Sequence, residues 1–284
     1  CRASSAVDGK NIGVFHRNMS RIIAITNQKG GVGKTTTCVN LAASLAATRR
    51  SVLLVDLDPQ GNATMGSGVN KHELELGGYH LLLEETPIGD IIVDAGMAGY
   101  KLLPGNSDLT AAEVQLMQLD DRETRLGRRL QPVAGHYDYV LIDCPPSLNM
   151  LTLNALTAAD AVFIPIQCEY YALEGLSALM ETVRQIREVI NPRLEIEGLL
   201  RTMFDARNNL ANEVSQQLLD HFGEKVYRTI IPRNVRLAEA PSYGAPIINY
   251  DKASRGAMAY LALAAELVRR QREAEQSDEL RAEA

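Results

Sequence analysis

Two lysines bracket one glycine-rich turn, Lys29-Gly30-Gly31-Val32-Gly33-Lys34-Thr35-Thr36, directly behind the apolar run Arg21 to Thr26. A glycine-rich turn between a strand and a helix aims successive backbone N–H groups inward at the positive end of the helix, which makes a nest for phosphate oxygens. Lys34 has the spacing of the lysine that reaches β- and γ-phosphates, and Thr35 that of a hydroxyl ligand to Mg²⁺. Lys29, five positions upstream, does not easily reach the same place.

Carboxylates stand at the ends of two further apolar runs. Val52 to Val55 leads into Asp56-Leu57-Asp58-Pro59-Gln60, and Tyr139 to Ile142 leads into Asp143, with Pro145-Pro146 behind it. In doubly wound sheets the carboxyl edge of the parallel strands is where ligands bind. Asp143 therefore has the pattern of a Walker B aspartate, which holds Mg²⁺ directly or through water. On the residues alone, a strand-terminal aspartate is equally a turn former or a helix cap.

The elements that must carry these groups follow from periodicity. Strands are predicted at Arg21 to Thr26, Ser51 to Asp56, Lys101 to Pro104, Tyr137 to Asp143, Ala161 to Ile166, Glu195 to Met203 and around Ile230. Helices are predicted at Lys34 to Ala47, Ser107 to Leu119, Glu123 to Gln131, Met150 to Ala158, Ala172 to Val189, Asn208 to Phe222, Val235 to Ala240 and Ser254 to Arg270. This alternation gives an α/β class: a doubly wound, mostly parallel sheet with helices on both faces. One domain is expected over 21–270. Residues 1–20 read as a disordered leader or an expression remnant, with Met19 a plausible start, and 271–284 as an acidic, disordered tail.

Composition narrows the classes. The net charge is −6, from 29 Lys and Arg against 35 Asp and Glu. That sum argues against nucleic acid, but distribution matters more. The tail alone holds Glu273, Glu275, Asp278, Glu279 and Glu283 against Arg272 and Arg281, so the body is only mildly acidic. Cys1, Cys38, Cys144 and Cys168 lack paired spacing, which disfavours a disulfide framework or a metal site. No stretch approaches the roughly 18 apolar residues of a membrane helix, and no apolar signal opens the chain, so a cytoplasmic protein is expected.

Taken together these blocks resemble the ParA/Soj-type chromosome-partitioning ATPases, of the deviant Walker A group of P-loop NTPases. The resemblance covers nearly everything from Arg21 to Arg270, in family order: Lys29 to Thr36, Asp56 to Thr64, Leu103 to Glu113, Tyr139 to Ser147, Glu169 to Leu176, Phe204 to Asn209 and Ile231 to Gly244. It implies ATP and Mg²⁺ as cofactors, with ADP as product, and a hydrolysis that depends mainly on positioning and charge stabilisation. Lys29 would cross a nucleotide-bound homodimer to the partner's phosphates, much as an arginine finger does. Lys34 would contact the phosphates within its own chain, and Asp58 would orient the attacking water. Thr35, Asp56, Asp58 and Asp143 would support the metal, and the loop from Lys29 to Thr36 would cradle the nucleotide. Gly30 and Gly31 would lie where two subunits meet, and Pro232, Arg233 and Asn234 would contact the adenine.

The resemblance also implies partners. Arg207 and Arg236, with Lys252 and Arg255 as weaker candidates, would grip duplex DNA through its phosphates without reading sequence. A ParB-like centromere-binding protein would stimulate hydrolysis, so that segregation of a chromosome or plasmid at the nucleoid follows. The block from Glu169 to Leu176 lies near the family's dimer contact, although its apolar spacing fits core packing too. No operator-reading helix-turn-helix is expected ahead of the loop. The acidic end disfavours a membrane-binding basic helix, and the cysteine spacing disfavours an iron–sulfur site. Two alternatives remain at this stage: a cargo-positioning relative and a non-hydrolysing, nucleotide-gated scaffold.

Overall fold

The computed structural model describes residues 20–84 and 86–282; apart from Ser20, the expected leader over 1–20 lies outside them. Eight strands form one sheet: β1 Arg21–Ile25, β2 Val52–Asp56, β3 Val93–Asp94, β4 Lys101–Leu103, β5 Tyr139–Asp143, β6 Ala161–Gln167, β7 Glu195–Phe204 and β8 Val226–Pro232. Their spatial order is β3-β4-β2-β5-β1-β6-β7-β8, parallel throughout except for the antiparallel edge pair β3–β4. That edge strand was not foreseen, because two residues carry no periodicity.

The α-helices of the first half are α1 Lys34–Ala47, α2 Asn62–Gly66, α3 Gly78–Leu83, α4 Ile88–Ile91, α5 Leu109–Leu116, α6 Arg125–Ala134 and α7 Met150–Ala158. Those of the second half are α8 Ala172–Val189, α9 Asn209–Phe222, α10 Val235–Glu239, α11 Ile247–Tyr250 and α12 Arg255–Ala282. Side-chain alternation along the strands splits the core in two. Ala24, Leu53, Val55, Val140, Ile142 and Val162 pack on one face with helices α3 to α9. Ile23, Ile25, Leu54, Leu141 and Phe163 pack on the other with α1, α10, α11 and α12. Strands covered on both sides must be apolar along their whole length, as β2 and β5 are.

The periodicity ends the last helix at Arg270, whereas α12 runs on to Ala282. It continues through 271–282, where Arg269 faces Glu273, and Gln271 donates to Glu275 at 3.0 Å. The Tyr139 hydroxyl also donates to Gln271 at 2.6 Å, tying this turn to β5. Helical spacing of charge and the absence of Gly or Pro carry the helix where net charge alone suggested a free end.

Candidate nucleotide site

Register places the chemistry at one sheet edge. Ile25 pairs with Asp143 on β5, and Asp143 pairs with Asp56 on β2, so the glycine-rich turn leaves the sheet beside two carboxylates. Here the chain order reverses across β1, the crevice that doubly wound sheets use for ligands. Gly31 and Gly33 adopt φ +75° and +85°, left-handed values that a side chain disfavours. The Lys34 side chain folds back over the turn, with Nζ 3.3 Å from the Lys29 carbonyl oxygen. Burial lowers the pKa of Lys34, against the opposing pull of Asp143.

A cavity of about 700 Å³ opens from this turn. Its walls bring together Gly30, Gly31, Gly33, Lys34, Thr35 and Thr36 with Asp58 and, from the end of β8, Pro232, Arg233 and Asn234. Asn234 also caps α10, its side-chain oxygen accepting from the Leu237 amide at 3.2 Å, so the turn and lining roles coexist. Val32, Lys29, Asp56 and Asp143 do not line the cavity. Wall residues outside the sequence candidates include Gln60, Pro146, Thr202, Met203 and Tyr260. For Thr202 and Met203 the available signal was their place at the carboxyl end of a parallel strand. Tyr260, reaching in from α12, had none.

The carboxylates divide their work. Asp56 accepts from the Asp58 amide at 3.2 Å on Oδ1, and from the Thr64 amide and hydroxyl, both at 2.7 Å, on Oδ2. It thereby braces the segment between β2 and α2. Asp58 accepts from the Gln60 amide at 2.9 Å and borders the cavity. Asp143 is fully buried and accepts from the Cys38 thiol at 3.3 Å, while its Oδ2 has no hydrogen-bond partner; the nearby Thr35 hydroxyl pulls its pKa downward. Burial pushes the carboxyls of both Asp56 and Asp143 upward, Asp143 further because it also faces Asp56. A buried carboxylate oxygen without a donor, beside a threonine hydroxyl, fits the oxygen-ligand chemistry of Mg²⁺. Among the described residues no group of three or more His, Cys, Asp or Glu could hold a metal by itself.

Lys29 points elsewhere. Its amine lies 2.5 Å from Glu169, with both side chains about half exposed, on the outer side of the turn. A Cβ added at Gly30 or Gly31 would meet nothing within 4 Å, so no packing neighbour demands glycine at either, although the positive φ of Gly31 does. Tyr170 and Tyr171, beside Glu169, are 75% and 67% exposed, and Leu148 is 49% exposed. Within α8 itself, Leu176, Leu179, Val183 and Ile186 are buried, as core packing requires.

The four candidate DNA contacts are exposed. Arg207 follows β7 and grips Asp205 with two bonds, Nε at 2.9 Å and an η-nitrogen at 2.7 Å, which holds the Asp205 carboxyl down to about 2. Arg236, in α10, pairs with Glu239 at 2.9 Å and lies 3.6 Å from Asp251. Lys252 lies in the turn that precedes α12, and Arg255 is the first residue of that helix. A larger cavity, about 830 Å³, lies at the opposite edge of the sheet, near the starts of β1, β7 and β8. Arg21 and Arg270 on its wall are paired with Glu197 and Glu266.

Comparison with known proteins gives this geometry its family. A family model described as an AAA domain matches residues 20–196. The chain is 55% identical over 249 residues to the sporulation initiation inhibitor protein Soj of Bacillus subtilis, spanning 88% of this chain and 98% of that one. It is 52% identical over 252 residues to the chromosome partitioning protein ParA of Myxococcus xanthus, spanning 89% of each. Among solved structures, cobyrinic acid a,c-diamide synthase of Mycobacterium smegmatis with bound ADP and magnesium superimposes with a TM-score of 0.78 at 37% identity, over 89% of this chain and 96% of that one. The septum site-determining protein MinD of Pyrococcus horikoshii, complexed with Mg-ADP, gives 0.72 at 25% identity, over 88% and 96%. The chain belongs to the ParA/Soj family of chromosome-partitioning ATPases.

Proposed function

We propose that the chain is an ATP-driven dimerising switch that binds DNA without sequence preference and releases it when a ParB-like partner stimulates hydrolysis. The observation that carries this reading is the direction of Lys29: its amine sits on Glu169 at the surface rather than over the Lys34 turn. A lysine kept in a phosphate loop yet turned away from that loop's own phosphates has its use in a second copy.

In the proposed chemistry, the backbone nest and Lys34 hold the β- and γ-phosphates, and Pro232, Arg233 and Asn234 take the adenine end of the cavity. Mg²⁺, when bound, neutralises phosphate charge, and Thr35 and Asp143 are the residues that would hold it, with Asp56 bracing the segment that carries Asp58. Asp58 orients the attacking water. Lys29 of the second subunit balances charge on the transferred group, a role worth about 10³ to 10⁵ in rate where an arginine supplies it. Two such subunits present Arg207, Arg236, Lys252 and Arg255 as one basic face for duplex phosphates. Association with the nucleoid in the cytoplasm follows from that face.

The test is the oligomeric state of a hydrolysis-dead Asp58→Ala chain by light scattering. With MgATP the expected mass doubles and DNA is retained on a filter; with ADP neither happens. A protein that binds MgATP and stays monomeric contradicts the proposal.

A further inference from the structure

We infer that Thr202 is a positioning residue for the phosphate loop: its hydroxyl sets the Val32–Gly33 peptide so that the Gly33 N–H faces the nucleotide. The inference rests on the nucleotide-binding reading of the same site and adds to it a residue outside the loop.

Thr202 donates from Oγ1 to the Val32 carbonyl oxygen at 2.8 Å, a contact between residues 170 apart in sequence. Both are buried, Thr202 at 2% exposure and Val32 at 1%, and among the described residues no other donor to that carbonyl is seen. In a planar trans peptide the C=O of one residue and the N–H of the next point in opposite directions. Holding the Val32 oxygen toward β7 therefore turns the Gly33 N–H the other way. Gly33 and Lys34 line the cavity, and the N–H groups of this turn are the donors a phosphate needs. Gly33, at φ +85°, has no side chain to hold this orientation, so the restraint must come from outside the turn. A Cβ at Gly33 would sit 3.9 Å from the Thr202 Cβ, so packing and the hydrogen bond act at one spot.

The next residue explains how Thr202 is held there. Met203 has φ +48°, and Arg49 is the one other non-glycine residue with positive φ among those described. Pairing with β6 ends at Gln167 and Thr202, while pairing with β8 breaks register between Arg201 and Phe204. Met203 is thus free of regular pairing on both sides and lies in the cavity wall. A left-handed bulky residue is costly and persists when its surroundings over-determine it. Here it interrupts the pairing near the end of β7, with the Thr202 hydroxyl aimed at the loop.

The experiment uses the full chain with Thr202→Val and Thr202→Ser and fluorescent mant-ADP plus magnesium as probe. Valine keeps the shape and removes the donor; serine keeps the donor. Thr202→Val is expected to bind mant-ADP about tenfold more weakly, and Thr202→Ser to recover to within about threefold of the parent. Valine affinity within about twofold of the parent, with a cooperative melt by circular dichroism, overturns the inference. So does a serine variant as weak as a folded valine variant. If the valine chain does not fold, the parent decides: the ¹⁵N-labelled Gly33 amide must shift when ADP is added, and an unmoved resonance overturns the inference. A parent chain that fails to bind mant-ADP overturns the nucleotide reading itself, which separates the two failures.

Discussion

Reversing one charge on the basic face should change how DNA binding depends on salt, not merely how strong it is. Arg207, Arg236, Lys252 and Arg255 are exposed on each subunit, so an ATP-bound pair offers eight cations to duplex phosphates. With all eight engaged, the logarithm of affinity falls against the logarithm of salt with a slope of about −7, and affinity drops about 10⁴-fold between 50 and 200 mM. Arg207→Glu removes one contact per subunit and brings the slope to about −5. Each contact is worth about eightfold at 0.1 M salt by the same relation, so the loss there is about 10²-fold before repulsion is counted. These are upper values, because Arg207 must leave Asp205 and Arg236 must leave Glu239 before either meets a phosphate. Arg207 is not on the cavity wall, so nucleotide affinity should stay unchanged. Fluorescence anisotropy of a labelled duplex, titrated at several salt concentrations with the Asp58→Ala chain and MgATP, reads both quantities. An unaltered slope in Arg207→Glu would refute the assignment of this arginine.

Two other outcomes follow from particular contacts. Lys29→Ala should keep mant-ADP affinity within about twofold while hydrolysis falls by about 10³ or more, measured as phosphate release with DNA and the stimulating partner; retained turnover contradicts the crossing role. Glu266 is buried, which raises its carboxyl, yet bonds from the Arg228 and Thr229 amides, the Thr229 hydroxyl and Arg270 outweigh this and leave it below the ordinary value. A depressed carboxyl contributes stability above its unfolded value of about 4.3 and loses it as pH falls through the folded value. Glu266→Gln should therefore cost about 1–3 kcal/mol at pH 7 and weaken the acid dependence of urea unfolding below about pH 5. An equally steep acid limb in the variant would refute this.

The readable part of the molecule was local. Met150–Ala158 and Ala172–Val189 end where their periodicity ends, and the strands that carry Asp56 and Asp143 are continuous apolar runs. The loop declares itself because glycine at left-handed φ and lysine at fixed spacing leave a mark on consecutive residues. Thr202 leaves none: a threonine at the end of a β-run is unremarkable until the fold lays Val32 against it. The same holds for Tyr260, whose hydroxyl pairs with that of Thr37 at 3.2 Å across 223 residues. The direction of Lys29 depended on Glu169, 140 residues away, and so was open to resemblance but not to pattern.

The place of β1 in the sheet has a consequence for biosynthesis. Its two neighbours are β5 and β6, whose paired residues begin at Tyr139 and Ala161, so the first strand of the chain finds no hydrogen-bonded neighbour among the next hundred residues. On the ribosome, the phosphate loop therefore emerges early but waits, unsupported, until the middle of the polypeptide has been translated. Nascent chains arrested short of β5 should be unable to protect ADP from solution, whereas those arrested well beyond β8 should do so.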